Sequence, residues 1–186
     1  MQQHRRIGIL GMARSGLAVL RDALAHGQDC IVFDDNAGTL ETAVLAGGRP
    51  GTVADVAGLD ALVVSPGVPL HHPAPHKVIA AARNAGVAIT SDIDLFAERL
   101  EGRTVVGITG TNGKSTTTAL IHHLLEAAGH DAVTGGNIGL PVLDLELGGG
   151  DRIFVLELSS YQLDLADQIA CRIGVLLNIT PDHLDR

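Results

Sequence analysis

The segment Gly107-Ile108-Thr109-Gly110-Thr111-Asn112-Gly113-Lys114-Ser115-Thr116 constrains the fold more than any other part of this chain. An apolar run (Val105, Val106, Ile108) precedes it, and apolar residues at helical spacing (Leu120, Ile121, Leu124, Leu125) follow it. Glycines let such a strand-to-helix loop turn its N–H groups towards a phosphate, and the helix N-terminus adds a favourable dipole. Gly110, Thr111, Asn112, Gly113, Lys114, Ser115 and Thr116 are therefore candidate nucleotide-binding residues. Lys114 can reach the terminal phosphates of a nucleotide such as ATP, and the Ser115 hydroxyl can ligate Mg²⁺. The usual spacing of such loops puts glycine at position 108, where this chain has isoleucine, so the loop is a variant form.

The rest of the chain alternates short apolar runs with helix-period stretches. Strands are expected at Arg6–Leu10, Asp29–Phe33, Ala61–Ser65, Val87–Thr90, Thr104–Thr109, Ile153–Leu158 and Ile173–Asn178. Helices are expected over Gly16–His26 and Ser115–Ala128, each stopped by the glycine that follows it, Gly27 or Gly129. Continuous Val/Ile/Leu strands separated by helices indicate an α/β fold, with parallel sheet covered on both faces. A polar stretch, Glu98 to Arg103, suggests a boundary between residues 1–97 and 98–186. The chain stops just after a strand, and a second α/β domain of about 85 residues is small for this architecture. Truncation is the expectation, with apolar surface exposed where further strands would pair.

Composition narrows the partners. Thirteen basic against twenty-one acidic residues give a net charge of −8, which disfavours nucleic acid. A phosphorylated small molecule stays open, because backbone amides and one or two cations suffice to hold it. Cys30 and Cys171 lie in apolar strand-like runs and are expected to be buried, reduced thiols. No segment reads as a signal peptide and no apolar run approaches membrane length, so a cytoplasmic chain without membrane insertion is expected.

Other residues gain interest from position. Glu157 ends the apolar run Ile153-Phe154-Val155-Leu156, at the carboxyl edge where parallel sheets collect ligands, and an acid there can hold Mg²⁺ beside the loop hydroxyl. A solvated strand-end acid is the equally plain alternative. His183 follows the next strand, beside Asp182 and Asp185. Near the N-terminus, Gly11-Met12-Ala13-Arg14-Ser15-Gly16 occupies the dinucleotide-fingerprint position, but Ala13 replaces the glycine that admits a pyrophosphate. Asp34 stands 23 positions after Gly11, where a dehydrogenase would hold a ribose hydroxyl. A dinucleotide site and a bare structural turn both remain open on these residues. The segment His71-His72-Pro73-Ala74-Pro75-His76 has no accompanying carboxylate or cysteine and reads as a solvated loop. His122 and His123 are adjacent on a helix and point different ways.

Three segments in order resemble the Mur ligase family of cell-wall amino-acid ligases. They are Thr109 to Thr116, Glu157-Leu158-Ser159-Ser160-Tyr161-Gln162-Leu163, and Asn178-Ile179-Thr180-Pro181-Asp182-His183-Leu184-Asp185-Arg186. The second of these and Gly135-Gly136-Asn137-Ile138-Gly139-Leu140-Pro141 resemble the D-glutamate-adding branch. The resemblance implies a Rossmann-like, UDP-binding N-terminal domain followed by the first part of a P-loop central domain. It also implies ATP- and Mg²⁺-dependent joining of D-glutamate to UDP-N-acetylmuramoyl-L-alanine through an acyl phosphate, by a monomer. Carried over by position, Lys114 would hold the β- and γ-phosphates, and Ser115 and Glu157 the first Mg²⁺. His183 would hold the second Mg²⁺ and lie near the substrate, as a catalytic residue with Lys114. Asn137 would contact the muramoyl-alanine part. Arg14 and Ser15 would sit at the diphosphate and uracil, Asp34 at the uracil, and Ser65-Pro66-Gly67 would form another wall. Related sequences often carry threonine and arginine where this chain has Asp35 and Asn36, so those two contacts do not carry over.

Alternatives are another Mur ligase, a folate polyglutamate ligase, an NAD-binding oxidoreductase domain, and a module that only binds. Gly113-Lys114-Ser115 argues against the folate enzyme, which usually reads Gly-Lys-Gly there, and Ala13 argues against NAD. Family members continue into a carbamylated lysine and a further domain that holds the incoming amino acid. Without them, this chain is expected to show no ligase turnover.

Overall fold

The structure, a computed structural model, describes residues 5–100 and 102–182. It forms two compact units, one ending at Asp92 and the other beginning at Ile93. The first contains β1 (Arg6–Leu10), α1 (Arg14–Ala25), β2 (Asp29–Phe33), α2 (Ala37–Leu45) and β3 (Arg49–Pro50), followed by β4 (Ala61–Val64), α3 (Lys77–Ala85) and β5 (Ala88–Thr90). Helix α4 (Asp92–Ala97) leads into the second, with β6 (Thr104–Thr109), α5 (Lys114–Ala127), β7 (Ala132–Gly136), β8 (Ile153–Glu157), α6 (Ser160–Leu165) and β9 (Ile173–Leu176).

Both sheets are wholly parallel. The first runs β3-β2-β1-β4-β5 and the second β7-β8-β6-β9. Parallel pairing puts every strand's carboxyl end on one edge, so the loops after those strands converge there. Their central strands are the apolar runs read from sequence: Ile9, Val32, Leu62, Ile108, Phe154 and Leu156 are each 0% exposed. Ile108 therefore serves the core; Val106, Ile108 and Val155 pack with Ile121 and Leu125 of α5.

Four details differ from expectation. The break between units lies at Asp92/Ile93, and the boundary drawn at 97/98 falls at the end of α4. Apolar packing holds α4 to the second unit, since buried Phe96 meets Phe154 edge-to-face at 5.3 Å. Strand β7 carries little apolar signal because two of its five residues are glycine. Cys171 lies just before β9 and is only half-buried, packing over Gly107, where a side chain would bring Cβ within 2.6 Å of its sulfur. Finally, β9 ends at Leu176, because the chain beyond it turns onto the loop that follows β6. Ile173, Leu176 and Ile179 stand 52%, 60% and 81% exposed. No helix among the described residues is long and apolar enough to cross a membrane.

Candidate functional site

The loop between β6 and α5 is shaped by two glycines with positive φ, Gly110 at 140° and Gly113 at 84°. Gly113 caps α5, so the free N–H groups of that helix's first turn face the loop. Lys114 Nζ donates to the Gly110 and Thr111 carbonyls at 2.6 and 2.9 Å, laying the cation along the inside of the loop. Gly110 also lies close to the chain after β9: a Cβ there would stand 3.1 Å from both the N and the O of Asn178.

That chain grips the loop. The Asn112 N–H donates to Asn178 Oδ1 at 2.9 Å, and Asn178 Nδ2 donates back to the Asn112 carbonyl at 3.0 Å. The Thr111 N–H donates to the Asn178 carbonyl at 3.0 Å. The Thr111 hydroxyl accepts from the Thr180 N–H and donates to the Thr180 carbonyl, at 3.0 and 3.2 Å.

Glu157 ends β8 beside the loop and is 1% exposed, which removes the solvated-acid reading. Its Oε1 accepts from Asn137 Nδ2 at 2.8 Å, and its carbonyl accepts from the Asn137 N–H at 2.9 Å. Its Oε2 is buried with no hydrogen-bond partner. A buried carboxylate oxygen left unpaired is costly, and a divalent cation is the natural partner for one. The hydroxyl-bearing Ser115 and Glu157 line one cavity of about 390 Å³ with Lys114 and Asn137. These hard oxygen donors fit Mg²⁺. A larger cavity, about 640 Å³, adjoins the loop, with Ser159, Tyr161, Asp164 and Asp182 in its lining. Thr111, Lys114 and Asn137 line both cavities.

In the first unit, the fingerprint loop, Asp34 and Ser65 also come together at the carboxyl edge, around β1, where the strand order reverses. Gly11 has φ 88°, and Ser65 Oγ donates to its carbonyl at 2.6 Å. Gly16 packs so closely that a Cβ would meet the Gly11 carbonyl oxygen at 1.9 Å, so only glycine fits in that first turn of α1. Asp34 accepts from the Met12 N–H at 2.6 Å and from the Asn36 N–H at 2.8 Å, which pins two loops to one carboxylate. Arg14 and Ser15 begin α1, and Gly67, with φ 95°, turns the chain after Ser65 and Pro66.

The two positions that break the family pattern have structural partners of their own. Asn36 caps α2, accepting from the Gly38 and Thr39 N–H groups. Asp35 pairs with Lys77 Nζ and His76 Nε2, each at 3.0 Å, and those hydrogen bonds hold its carboxyl below the usual range, Lys77 contributing most. His76 is thus not part of a solvated loop. It caps α3 through Nδ1, which accepts from the Val78 N–H at 3.2 Å, whereas His71 and His72 are exposed as expected. His122 likewise has a structural task, with Nε2 at 3.2 Å from the Ala132 carbonyl of β7.

Comparison with known proteins supplies the deciding observation. Residues 108–186 match the Mur ligase middle domain. The chain is 49% identical over 187 residues to the UDP-N-acetylmuramoylalanine–D-glutamate ligase of Sphingopyxis alaskensis, covering 98% of this chain and 42% of that protein. The enzyme of the same name from Nitrobacter winogradskyi is 46% identical over 188 residues, with 98% and 40% covered. Residues 108–186 thus carry a Mur ligase middle domain, and the chain as a whole is similar to these ligases.

It spans about two fifths of the length of these relatives. The fold is shared more widely in the family. The UDP-N-acetylmuramate:L-alanyl-γ-D-glutamyl-meso-diaminopimelate ligase of Neisseria meningitides aligns with TM-score 0.59 at 23% identity, covering 97% of this chain and 62% of that one. The UDP-N-acetylmuramate–alanine ligase of Thermotoga maritima aligns with TM-score 0.56 at 23% identity, covering 97% and 43%.

Among the candidate residues, Lys114, Ser115, Asn137 and Glu157 are brought to one cavity. His183 lies outside the described residues. Sequence reasoning gave no role to Asn178 or Thr180, although both stand in a segment quoted for the resemblance. The available signal was their place at the end of, and just beyond, the expected strand Ile173–Asn178.

Proposed function

We propose that this chain is the substrate- and nucleotide-binding part of an ATP-dependent ligase that joins D-glutamate to UDP-N-acetylmuramoyl-L-alanine in the cytoplasm, acting as a monomer in peptidoglycan precursor synthesis. The observation that carries this reading is the common wall of the two cavities. A triphosphate on the loop and a carboxylate in the larger cavity would meet at Lys114.

A carboxylate is a poor electrophile, so its activation needs a better leaving group. In the proposed reaction, a carboxylate oxygen of UDP-N-acetylmuramoyl-L-alanine attacks the γ-phosphorus. The bond to the bridging oxygen breaks, ADP departs, and an acyl phosphate forms. The amine of D-glutamate then attacks the acyl carbon, loses a proton, and inorganic phosphate leaves. Catalysis of this kind rests on positioning and charge neutralisation. Lys114 would hold the β- and γ-phosphates and follow the transferring group, with loop N–H groups beside it. Ser115 and Glu157 would hold Mg²⁺, which supplies charge neutralisation at the phosphates. Asn137 would hold Glu157 in place and meet the muramoyl-alanine end, with His183 as second metal ligand.

The first unit is proposed to take the UDP part: Arg14 and Ser15 at the diphosphate and uracil, Asp34 at the uracil, and Ser65-Pro66-Gly67 as a wall. Because the chain spans 42% of the Sphingopyxis alaskensis relative, these residues alone are proposed to bind without glutamate-dependent turnover.

Calorimetric titration with UDP-N-acetylmuramoyl-L-alanine, with NAD⁺ in parallel, tests this reading. Binding of the uridine sugar alone, weakened by Arg14→Ala, supports it. Binding of NAD⁺ alone would return the first unit to an oxidoreductase module.

A further inference from the structure

We infer that Asn178 is a positioning residue for the phosphate loop, holding Thr111 and Asn112 in the shape that presents the loop to phosphate. The inference rests on the nucleotide reading of that loop. Two observations carry it. The Asn178 side chain makes a reciprocal amide pair with the backbone of Asn112, donating at 3.0 Å and accepting at 2.9 Å. Its own carbonyl accepts from the Thr111 N–H at 3.0 Å, and two residues on, the Thr180 backbone exchanges hydrogen bonds with the Thr111 hydroxyl.

A loop built around Gly110 and Gly113 has much backbone freedom. The hydrogen-bonding of Lys114 to Gly110 and Thr111 constrains it from inside only, and that cation is the group a triphosphate would recruit. The clamp after β9 constrains it through the Thr111 and Asn112 N–H groups, so a phosphate would be met by the N–H groups at the first turn of α5. The Asn178 side chain suits this pair, since its short amide donates to a carbonyl and accepts from an N–H through two different atoms at once. A carboxylate in its place would face the Asn112 carbonyl with no donor. Preorganisation of this kind raises affinity by removing an ordering cost that a bound ligand would otherwise meet.

The test measures binding of MgATP and of magnesium tripolyphosphate to this chain, together with thermal stability in the absence of ligand. Asn178→Ala is expected to weaken both ligands by the same factor, about tenfold for two lost hydrogen bonds, with a small fall in the ligand-free melting temperature and an otherwise intact fold. Thr111→Val should weaken both similarly, and Thr111→Ser, which keeps the hydroxyl, should restore them. Wild-type affinity in Asn178→Ala would overturn the positioning role while leaving the nucleotide reading intact. So would a loss of affinity accompanied by unfolding of the ligand-free chain, read by circular dichroism, which marks a purely structural contact. If the wild-type chain binds neither ligand, the nucleotide reading itself falls and takes this inference with it.

Discussion

Asn137 holds Glu157 twice, by its N–H on the Glu157 carbonyl at 2.9 Å and by its side-chain amide on Oε1 at 2.8 Å. The second bond leaves Oε2 buried and unpaired, at the wall of the cavity that also contains Ser115. A fold tolerates a buried carboxylate in this state only where something outside it gains. Replacing Glu157 with glutamine keeps the shape and removes the charge, so it is expected to leave stability unchanged or raise it by about 1 kcal/mol. The same variant should bind ATP without any gain from Mg²⁺. Thermal melts and calorimetry with and without Mg²⁺ check both halves, and a strongly destabilised Glu157→Gln would contradict the first.

Asn137→Ala removes the donor to Oε1 and leaves both oxygens of a buried carboxylate unsatisfied. A loss of about 1–3 kcal/mol of stability is expected. The double variant with Glu157→Gln should recover part of that loss, because a neutral amide costs less to bury. A chemical-denaturation series on the four proteins of this cycle reads the coupling directly.

Lys114→Ala deletes the side-chain cation that lies along the loop carbonyls. MgATP affinity is expected to fall about 10- to 100-fold, the range for losing a charge-assisted hydrogen bond. Stability should change little, since the groups Lys114 now holds are loop carbonyls that water can reach. Equal MgATP affinity in this variant, measured by calorimetry, would place the triphosphate elsewhere.

Gly136→Ala tests why the loop after β7 has its sequence. Its φ is 104°, and a Cβ would stand 2.3 Å from the Glu157 carbonyl oxygen. A destabilisation of more than about 2 kcal/mol is expected from strain and displacement together, and denaturant unfolding measures it. Metal-dependent ATP binding should weaken as well, because the same shift moves Glu157.

Burial pushes the Cys30 thiol up to about 11, with the Asp29 carboxylate adding to the effect. The folded state then keeps its proton when the unfolded chain gives it up. The associated stability is full below the ordinary thiol value of 9.0 and is lost as pH rises towards about 11. Melting temperature should therefore fall over that window in the wild type and fall less in Cys30→Ala. At pH 8, a thiol reagent should modify half-buried Cys171 well before Cys30.

Much of this was legible from residues alone, and the failures share a cause. The strands ending at Leu10, Phe33 and Thr109 were readable because buried parallel strands are continuous apolar runs, and the loop after Thr109 because glycine, lysine and hydroxyl fall in a fixed order. Glu157 could be placed at a sheet edge but not judged buried, since its burial depends on β7, whose Gly135 and Gly136 carry no apolar signal. His76 read as loop because its pairing with Asp35 joins residues 41 positions apart, and its cap on Val78, two positions on, leaves no mark on apolar periodicity. Asn178 escaped for the same reason, with 66 positions separating it from Asn112. Sequence periodicity reports local burial, whereas polar clamps are made by the topology that brings distant loops to one edge.

The most direct test of the central claim, that Lys114, Ser115 and Glu157 form a magnesium–nucleotide site, is calorimetric titration of the wild-type chain with ATP in Mg²⁺ and again in a chelator. The account expects binding in Mg²⁺ that weakens at least about tenfold when the metal is removed. Equal affinity in the two conditions, or no binding in either, would contradict it.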